Sequence, residues 1–481
     1  MFSEWSYIYP EIWLLSMACF ILLVDLILIR RDSKWITYGL CQLTWVGVLV
    51  LSARLMGQET KTLFYNMFVL DKLAVVLKFS MGVIGLFVFW YSRKYVFERM
   101  VYRSEYFVLC LFSVFGMMVL VSARSFLSIY LGIELLALPL YALITIVKED
   151  AVGSEAAMKY FVMGALASGL LLYGISLLYG VTGSFDLHQI ASHLAEQGKE
   201  PHTALLFGLV FVLVGMAFKF GAVPFHMWLP DVYQGAPLSV TLFIGTLPKL
   251  AAFGFAIRLL VDTFAAFSPH WQPLLVIISV LSLSIGNIVA IAQRNLKRML
   301  GYSTIAHMGF LLMGLLAGPQ SGFSAALNYV LIYALMALGA FGLMTVLSHQ
   351  GFEAENIDDF RGLGSRHPWL AFVMLMLMLS LTGIPPFAGF YAKLFVLDAV
   401  IQAGYTWLAV LAVLLTVVGA FYYLRIVRLM FFDVPQGVSP YQPVSRANVA
   451  VLSLNGLAIL ALGIFPSPLF NLCSTVMAMP K

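Results

Sequence analysis

Lys78, Lys159, Lys219, Lys249 and Lys393, together with Glu134, lie in stretches of the chain that are otherwise long and apolar enough to cross a membrane. A charge in hydrocarbon costs at least ~2.5–3.5 kcal/mol on insertion scales, and charges kept there mark paths for ions or protons. Glu134, in Leu131-Gly132-Ile133-Glu134-Leu135, sits near mid-depth of its span at about 1.5 Å of rise per residue. Lys159 is in the first turns of the next span, where it can either snorkel or meet Glu134 across two antiparallel helices. At ~6.5 Å and an effective dielectric near ~20 such a pair gains about 2.5 kcal/mol. Breaking it therefore changes the lysine's proton affinity by about a hundredfold, a useful size for a switch. Lys219 and Lys249 lie deeper, and a desolvated amine releases its proton far more readily than one in water. Lys393 lies beside a later helix break and is the counterpart of Lys219 in the second half of the chain. His226 and His307 titrate near neutrality, although a lone histidine inside a membrane is commonly a satisfied core donor. Lys78, close to Lys72, and Asp25, near the end of the first span, read as snorkelling side chains and stay outside the candidate site.

These side chains need helices to hold them. Only 11% of the 481 residues are charged and 62% are hydrophobic, and apolar runs of about 20 residues recur from end to end. The pattern predicts an all-α polytopic membrane protein forming one membrane domain over 1–481, with spans at 11–29, 36–53, 73–92, 105–122, 125–147, 155–180, 203–222, 238–261, 272–292, 299–317, 323–348, 368–401, 405–431 and 448–475. The first is read as a retained span and not a signal peptide, since it contains Asp25 and lacks a basic leader. With both termini outside, the inner loops collect Arg30, Arg31, Lys34, Arg93, Lys94, Arg99, Arg103, Lys148, Arg294, Lys297, Arg298, Arg361, Arg366, Arg425, Arg428 and Arg446. Fewer basic residues, among them Arg54, Lys61, Arg124, Lys199 and Lys481, fall outside, which supports fourteen spans.

Two spans are interrupted. The seventh runs through Gly221-Ala222-Val223-Pro224-Phe225-His226 and the twelfth through Gly383-Ile384-Pro385-Pro386. A proline removes a donor and clashes with the preceding turn, so both helices should unwind where protein or a wet cavity can satisfy the backbone. The breaks are five spans apart and hence oppositely oriented, which points to an inverted-topology repeat. Helices 4–8 (105–262) and 9–13 (272–431) form the two halves, preceded by helices 1–3 (1–104) and followed by the last helix (448–475).

Other chemistries are disfavoured. Cys19, Cys41, Cys110 and Cys473 stand singly in apolar segments without metal-ligand spacing, and Gly362–Gly364 lacks the rest of a dinucleotide fingerprint. The net charge of +5 is dispersed over loops, so no nucleic-acid partner is implied. No nucleophile–base pair suggests hydrolysis, and no carboxylate cluster suggests a divalent-cation site.

The segments LGIELLALPLY, AAMKYF, FKFGAVPFHMWLPDVYQGAP, TLPKLAAFG, NLKRMLGYSTIAHMGF and LTGIPPFAGFYAKLFVL together resemble the antiporter-like membrane subunits of respiratory complex I, over nearly the whole chain. The likeness is to the N-type of these, because no long lateral helix follows the fourteenth span and because residue 393 is lysine, where M-type relatives tend to carry glutamate. The resemblance implies fourteen helices in two inverted halves with helices 7 and 12 discontinuous. It implies roles in proton transfer for Glu134 as the acid of helix 5, Lys159 as its neighbour, Lys219 as the central lysine, Lys249 as the link to the second half and Lys393 as the exit-side group. His226 and His307 become relays. NADH, FMN, iron–sulfur clusters and quinone would then be held by partner subunits, and none by this chain. The partners implied are a larger antiporter-like subunit on one side, small helical subunits on the other, and the lipid of a bacterial inner membrane. A subunit of a multi-component sodium/proton antiporter, of a membrane-bound hydrogenase or of a ferredoxin-fed complex is the alternative.

Overall fold

The computed structural model describes residues 5–27, 33–99, 104–196, 202–434 and 441–478. Arg30, Arg31, Arg103, Lys199 and Lys481, used above to orient the chain, lie outside these residues. The described chain is helical apart from one short hairpin. In order the elements are α1 (Tyr9–Ile27), α2 (Ser33–Arg54), β1 (Lys61–Leu63), β2 (Phe68–Leu70), α3 (Lys72–Glu98), α4 (Ser104–Val121), α5 (Phe126–Ile144), α6 (Ala151–Thr182), α7 (Leu187–Glu196), α8 (Thr203–Phe220), α9 (Trp228–Gly235) and α10 (Leu238–Leu260). They continue as α11 (Ser268–Ile291), α12 (Leu296–Leu316), α13 (Gly322–Leu347), α14 (Leu363–Arg366), α15 (Pro368–Thr382), α16 (Ala388–Gln402), α17 (Thr406–Phe431), α18 (Arg446–Ile464) and α19 (Ser467–Met477). Among the described residues twelve helices are long and apolar enough to span a membrane, and the stretches Glu105–Val121 and Pro368–Thr382 are shorter apolar helices. This is an all-helical, multi-pass membrane protein.

The chain divides into two compact units. The first comprises 1–86, 101–220 and 247–274. Here α4 packs along α5 and α6 along α8, while α1 lies against α2 and α4. The α4–α5 crossing is close because Gly116 and Gly132 carry no side chain. A Cβ at Gly116 would stand 2.4 Å from the Leu136 amide nitrogen, and one at Gly132 would stand 2.8 Å from that of Leu120. The β1–β2 pair is antiparallel, with Lys61 opposite Leu70. The amphipathic helix α7 buries Leu187, Ile190 and Leu194. Neither hairpin nor α7 is legible as a 20-residue apolar run.

The second unit comprises 87–100, 221–246 and 275–481. Its centre is α13, which is apolar on every side and buried almost throughout. Around it pack α12, α15, α16, α18 and α19. The last predicted span, 448–475, is two helices. Pro466 has no N–H to continue α18, and its ring conflicts with the carbonyl one turn earlier, so the helix stops at Ile464 and restarts at Ser467.

Candidate functional site

Both expected interruptions are present and share one local design. Phe220 ends α8, Gly221 turns left-handed at φ 70°, and a cis Val223–Pro224 bond precedes α9. Thr382 ends α15, Gly383 turns left-handed at φ 89°, and a cis Pro385–Pro386 bond precedes α16. Each break thus has a glycine and, three residues on, a proline. Prolines 224, 385 and 386 have no N–H to offer, so carbonyls at the end of the first half-helix need another donor.

In the first unit that donor is a lysine. Lys249, buried within α10, donates from Nζ to the Phe220 carbonyl at 3.3 Å. Glu134, half-buried on α5, accepts a 2.6 Å hydrogen bond from Ser168 Oγ on α6. Its helix is started by a capping box, Ser125 and Ser128 each accepting from the other's backbone region. Lys219, in the last turn of α8, is half-buried with Nζ 5.9 Å from the Phe218 ring centre, and the charge of Glu134 reaches it. Lys159 is exposed and pairs at 2.8 Å with Glu155, one turn back on α6. That pair competes with the Glu134 contact expected from the order of the helices.

In the second unit Lys393, from α16, reaches back to the end of α15. Its Nζ donates to the Leu381 and Thr382 carbonyls at 3.0 and 2.8 Å and lies 5.3 Å from the Phe310 ring centre. By contact, then, the partner of Lys393 in the first unit is Lys249, since both amines cap a severed half-helix; Lys219 matches Lys393 only in its nearness to a break. His307 on α12 is buried between two tyrosines, with Nδ1 2.7 Å from Tyr329 Oη and Nε2 3.1 Å from Tyr423 Oη. Tyr423 is in turn hydrogen-bonded to Ser303. A cavity of about 10 Å³ lies beside these groups, lined among others by Asn287, His307, Thr382, Lys393, Tyr422 and Tyr423. That is close to the smallest space, roughly 10–15 Å³, that holds one water, and its walls are polar enough to bind one. His226 lies within the first break itself, half-buried against the Pro224 carbonyl.

Several charged contacts escaped the sequence. Lys78 does not snorkel: it is fully buried, with Nζ 2.5 Å from Glu11 Oε1 and 4.7 Å from the Phe68 ring centre. A lysine and an acid more than sixty residues apart, each near a helix end, give no sign of pairing in one dimension. Lys297, counted above as a loop cation, is buried. It donates to the Ala236 carbonyl at 3.1 Å and pairs with Glu355 at 2.9 Å, while Arg298 pairs with Asp231 of α9. The short half-helix α9 is thus held by two adjacent cations at the start of α12. The tyrosines around His307 carry no charge and so raised no flag. Among the described residues no group of three His, Cys, Asp or Glu side chains is placed to hold a metal ion.

The family described as "NADH:quinone oxidoreductase/Mrp antiporter, TM" matches residues 123–419, the span that carries both breaks with Lys159, Lys219, Lys249, Lys393, His226 and His307. The chain is 54% identical over 465 residues to NADH-quinone oxidoreductase subunit N of Thioalkalivibrio sulfidiphilus, covering 97% of this chain and 96% of that one. The chain belongs to the subunit N family. To the subunit N of Thiobacillus denitrificans it is 53% identical, over 96% of this chain and 95% of the other. Among solved structures, a chain of respiratory complex I from Thermus thermophilus superposes with a TM-score of 0.81 at 30% identity, covering 97% of this chain and 99% of that chain. A chain of the Mrp complex from Dietzia gives 0.82 at 21% identity, covering 98% and 96%, which is a likeness of fold alone. The subunit N family therefore shares its antiporter-like fold beyond complex I, while sequence identity of this order is found with subunit N.

Proposed function

We propose that this chain is the subunit N of a bacterial NADH:quinone oxidoreductase, a proton-translocating part of the membrane arm of respiratory complex I. Glu134, Lys159, Lys219, Lys249 and Lys393 transfer protons, with His226 and His307 as relays. The supporting observation is that a buried amine caps each severed half-helix, Lys249 at Phe220 and Lys393 at Leu381 and Thr382. An amine held by neutral carbonyls can exist with or without its extra proton. Protonated, it donates charge-assisted hydrogen bonds; neutral, it donates weaker ones, so the proton's arrival changes how firmly each break is held.

Oxidation of NADH and reduction of quinone occur on partner subunits that carry FMN and iron–sulfur clusters, and this chain supplies no redox centre. A change of charge arriving from a neighbouring subunit alters the surroundings of Glu134. Lys159 and Lys219 respond, and protons pass by way of Lys249 to Lys393. Moving one charge against ~100 mV costs about 2.3 kcal/mol, which the rearrangement of a single partly buried ion pair can supply. The chain acts as one membrane domain of fourteen helices, with 105–262 and 272–431 as inverted halves, 1–104 before them and 448–475 after. Both termini face the periplasm in the inner membrane. A larger antiporter-like subunit flanks it on one side and small helical subunits on the other.

The test is Lys249→Met in the assembled complex. Quinone reduction is expected to continue in uncoupled membranes, while proton pumping in sealed, coupled vesicles, read by quenching of a pH-sensitive dye, falls sharply. Normal pumping per quinone reduced would refute the role of Lys249.

A further inference from the structure

A second polar site lies at the ends of helices in the second unit, away from both breaks. A cleft of about 350 Å³ is lined by Arg294, Asp358, Arg361, Arg425, Arg428 and Asp433, with Ile357 and Leu429. Arg294 follows α11, Arg361 follows α13 and its loop, and Arg425 and Arg428 occupy the last turns of α17. Four guanidinium groups face two carboxylates, which leaves a formal charge of +2.

The two acids are already committed. Arg361 spans both, donating to Asp358 at 2.8 Å and Asp433 at 3.0 Å, and Arg428 reaches Asp433 only at 3.9 Å. Arg425 is spent on backbone, donating to the carbonyls of Ile291 and Gln293. Among the described residues no carboxylate pairs with Arg294, which is exposed. Arginines gathered around an open cleft with too few acids repel one another. A tetrahedral oxyanion relieves that repulsion and accepts bidentate hydrogen bonds from several guanidinium groups at once.

We propose that this cleft binds a phosphate group, and specifically the headgroup phosphate of an anionic phospholipid. The volume is at the lower end of that of small-ligand pockets, about 300–1,000 Å³, which suits a headgroup and not a whole lipid. The acyl chains have a place outside it. Below Arg425 and Arg428 on the same helix, Leu414, Val417, Phe421 and Leu424 are exposed and recur every three or four residues, forming one apolar strip that leads to the guanidinium groups. Past the cleft, Phe432 and Val434 are also exposed. Free phosphate would use the cations but has no use for the strip. The bound lipid ties the end of α17 to the loops after α11 and α13, and so braces the helix that contributes Tyr422 and Tyr423 to the His307 cavity.

The experiment uses the assembled complex in phosphatidylcholine nanodiscs with and without photoreactive phosphatidylglycerol, and maps labelled peptides. Labelling of α17 by the phosphatidylglycerol probe is expected to fall about tenfold in the double variant Arg294→Gln, Arg428→Gln, equivalent to about 1.4 kcal/mol of binding. A photoreactive phosphatidylcholine probe should label weakly and equally in both proteins. These two arginines are chosen because Arg361 and Arg425 hold loops, so the variant should assemble and reduce quinone normally. Equal phosphatidylglycerol labelling in both proteins overturns the proposal. Suppression of labelling by inorganic phosphate alone, or labelling of a neighbouring subunit in place of α17, overturns the assignment to a lipid headgroup.

Discussion

Replacing Glu11 by leucine leaves the Lys78 ammonium enclosed without its ion-pair partner. In the native protein the two charges are 2.5 Å apart, and both side chains are almost wholly shielded. At an effective dielectric of ~20 their attraction is on the order of 7 kcal/mol, most of it cancelled by the cost of removing both from water. The net worth of the pair is therefore small, but the loss of one member is not: an orphaned buried charge costs ~3–5 kcal/mol. Against a typical domain stability of ~5–15 kcal/mol, that is enough to lower assembly visibly. Glu11→Leu and Lys78→Met should each reduce the amount of intact complex on native gels and its melting temperature in detergent. The double variant should recover most of the loss, because apolar residues of similar volume replace the pair. Pumping per quinone reduced should be unchanged in whatever assembles. If Glu11→Leu assembled normally and pumped poorly, Glu11 and Lys78 would belong to the proton path and the structural reading would fall.

Two further outcomes follow from single contacts. Burial alone would raise the Asp71 carboxyl, but the Arg258 guanidinium beside it, helped by the Ala74 amide and the charge of Lys78, holds it below the ordinary carboxylate value. A depressed carboxyl contributes stability that is complete above its unfolded value of ~3.9 and is lost as pH falls through the lower folded one. Asp71→Asn should therefore destabilise the complex at neutral pH and flatten its loss of stability in acid, measured as melting temperature against pH; an unchanged acid limb would refute the assignment. Gly463 on α18 lies against the second break, where a Cβ would stand 1.9 Å from the Pro386 carbonyl oxygen. Gly463→Ala must move that backbone, and overpacking of this kind costs ~1–3 kcal/mol. Reduced pumping with normal assembly is expected, and wild-type pumping would show that the position of Pro386 does not matter.

How much of this was legible in the sequence differs by kind of feature. Gly221 with Pro224 and Gly383 with Pro386 announce the breaks, because a left-handed turn and a missing N–H are local properties of those residues. Depth is legible too, since counting from a span's end places Glu134, Lys249 and Lys393 well inside. What a residue count along one helix cannot supply is the partner. Lys78 and Lys297 look like cations at helix ends, and only the packing shows Glu11 beside the first and Ala236 with Glu355 beside the second. The same limit paired Lys393 with Lys219 by nearness to a break, when the contact it makes is the one made by Lys249.

That shared contact bears on how a proton could act on the fold. Capping by lysine places amine donors at Phe220 and at Leu381 and Thr382 on side chains from other helices, α10 and α16. Each hydrogen bond from a charged donor contributes ~1.5–3 kcal/mol, against about 1 kcal/mol from a neutral one. Deprotonating Lys393, with two such bonds, would thus weaken its hold on the end of α15 by about 1–4 kcal/mol. That range brackets the ~2.3 kcal/mol needed to move a charge against ~100 mV. Lys393→Met should therefore loosen the second break. Hydrogen exchange at the amides flanking Gly383 measures it, and exchange there as slow as in the unaltered protein would refute the reading.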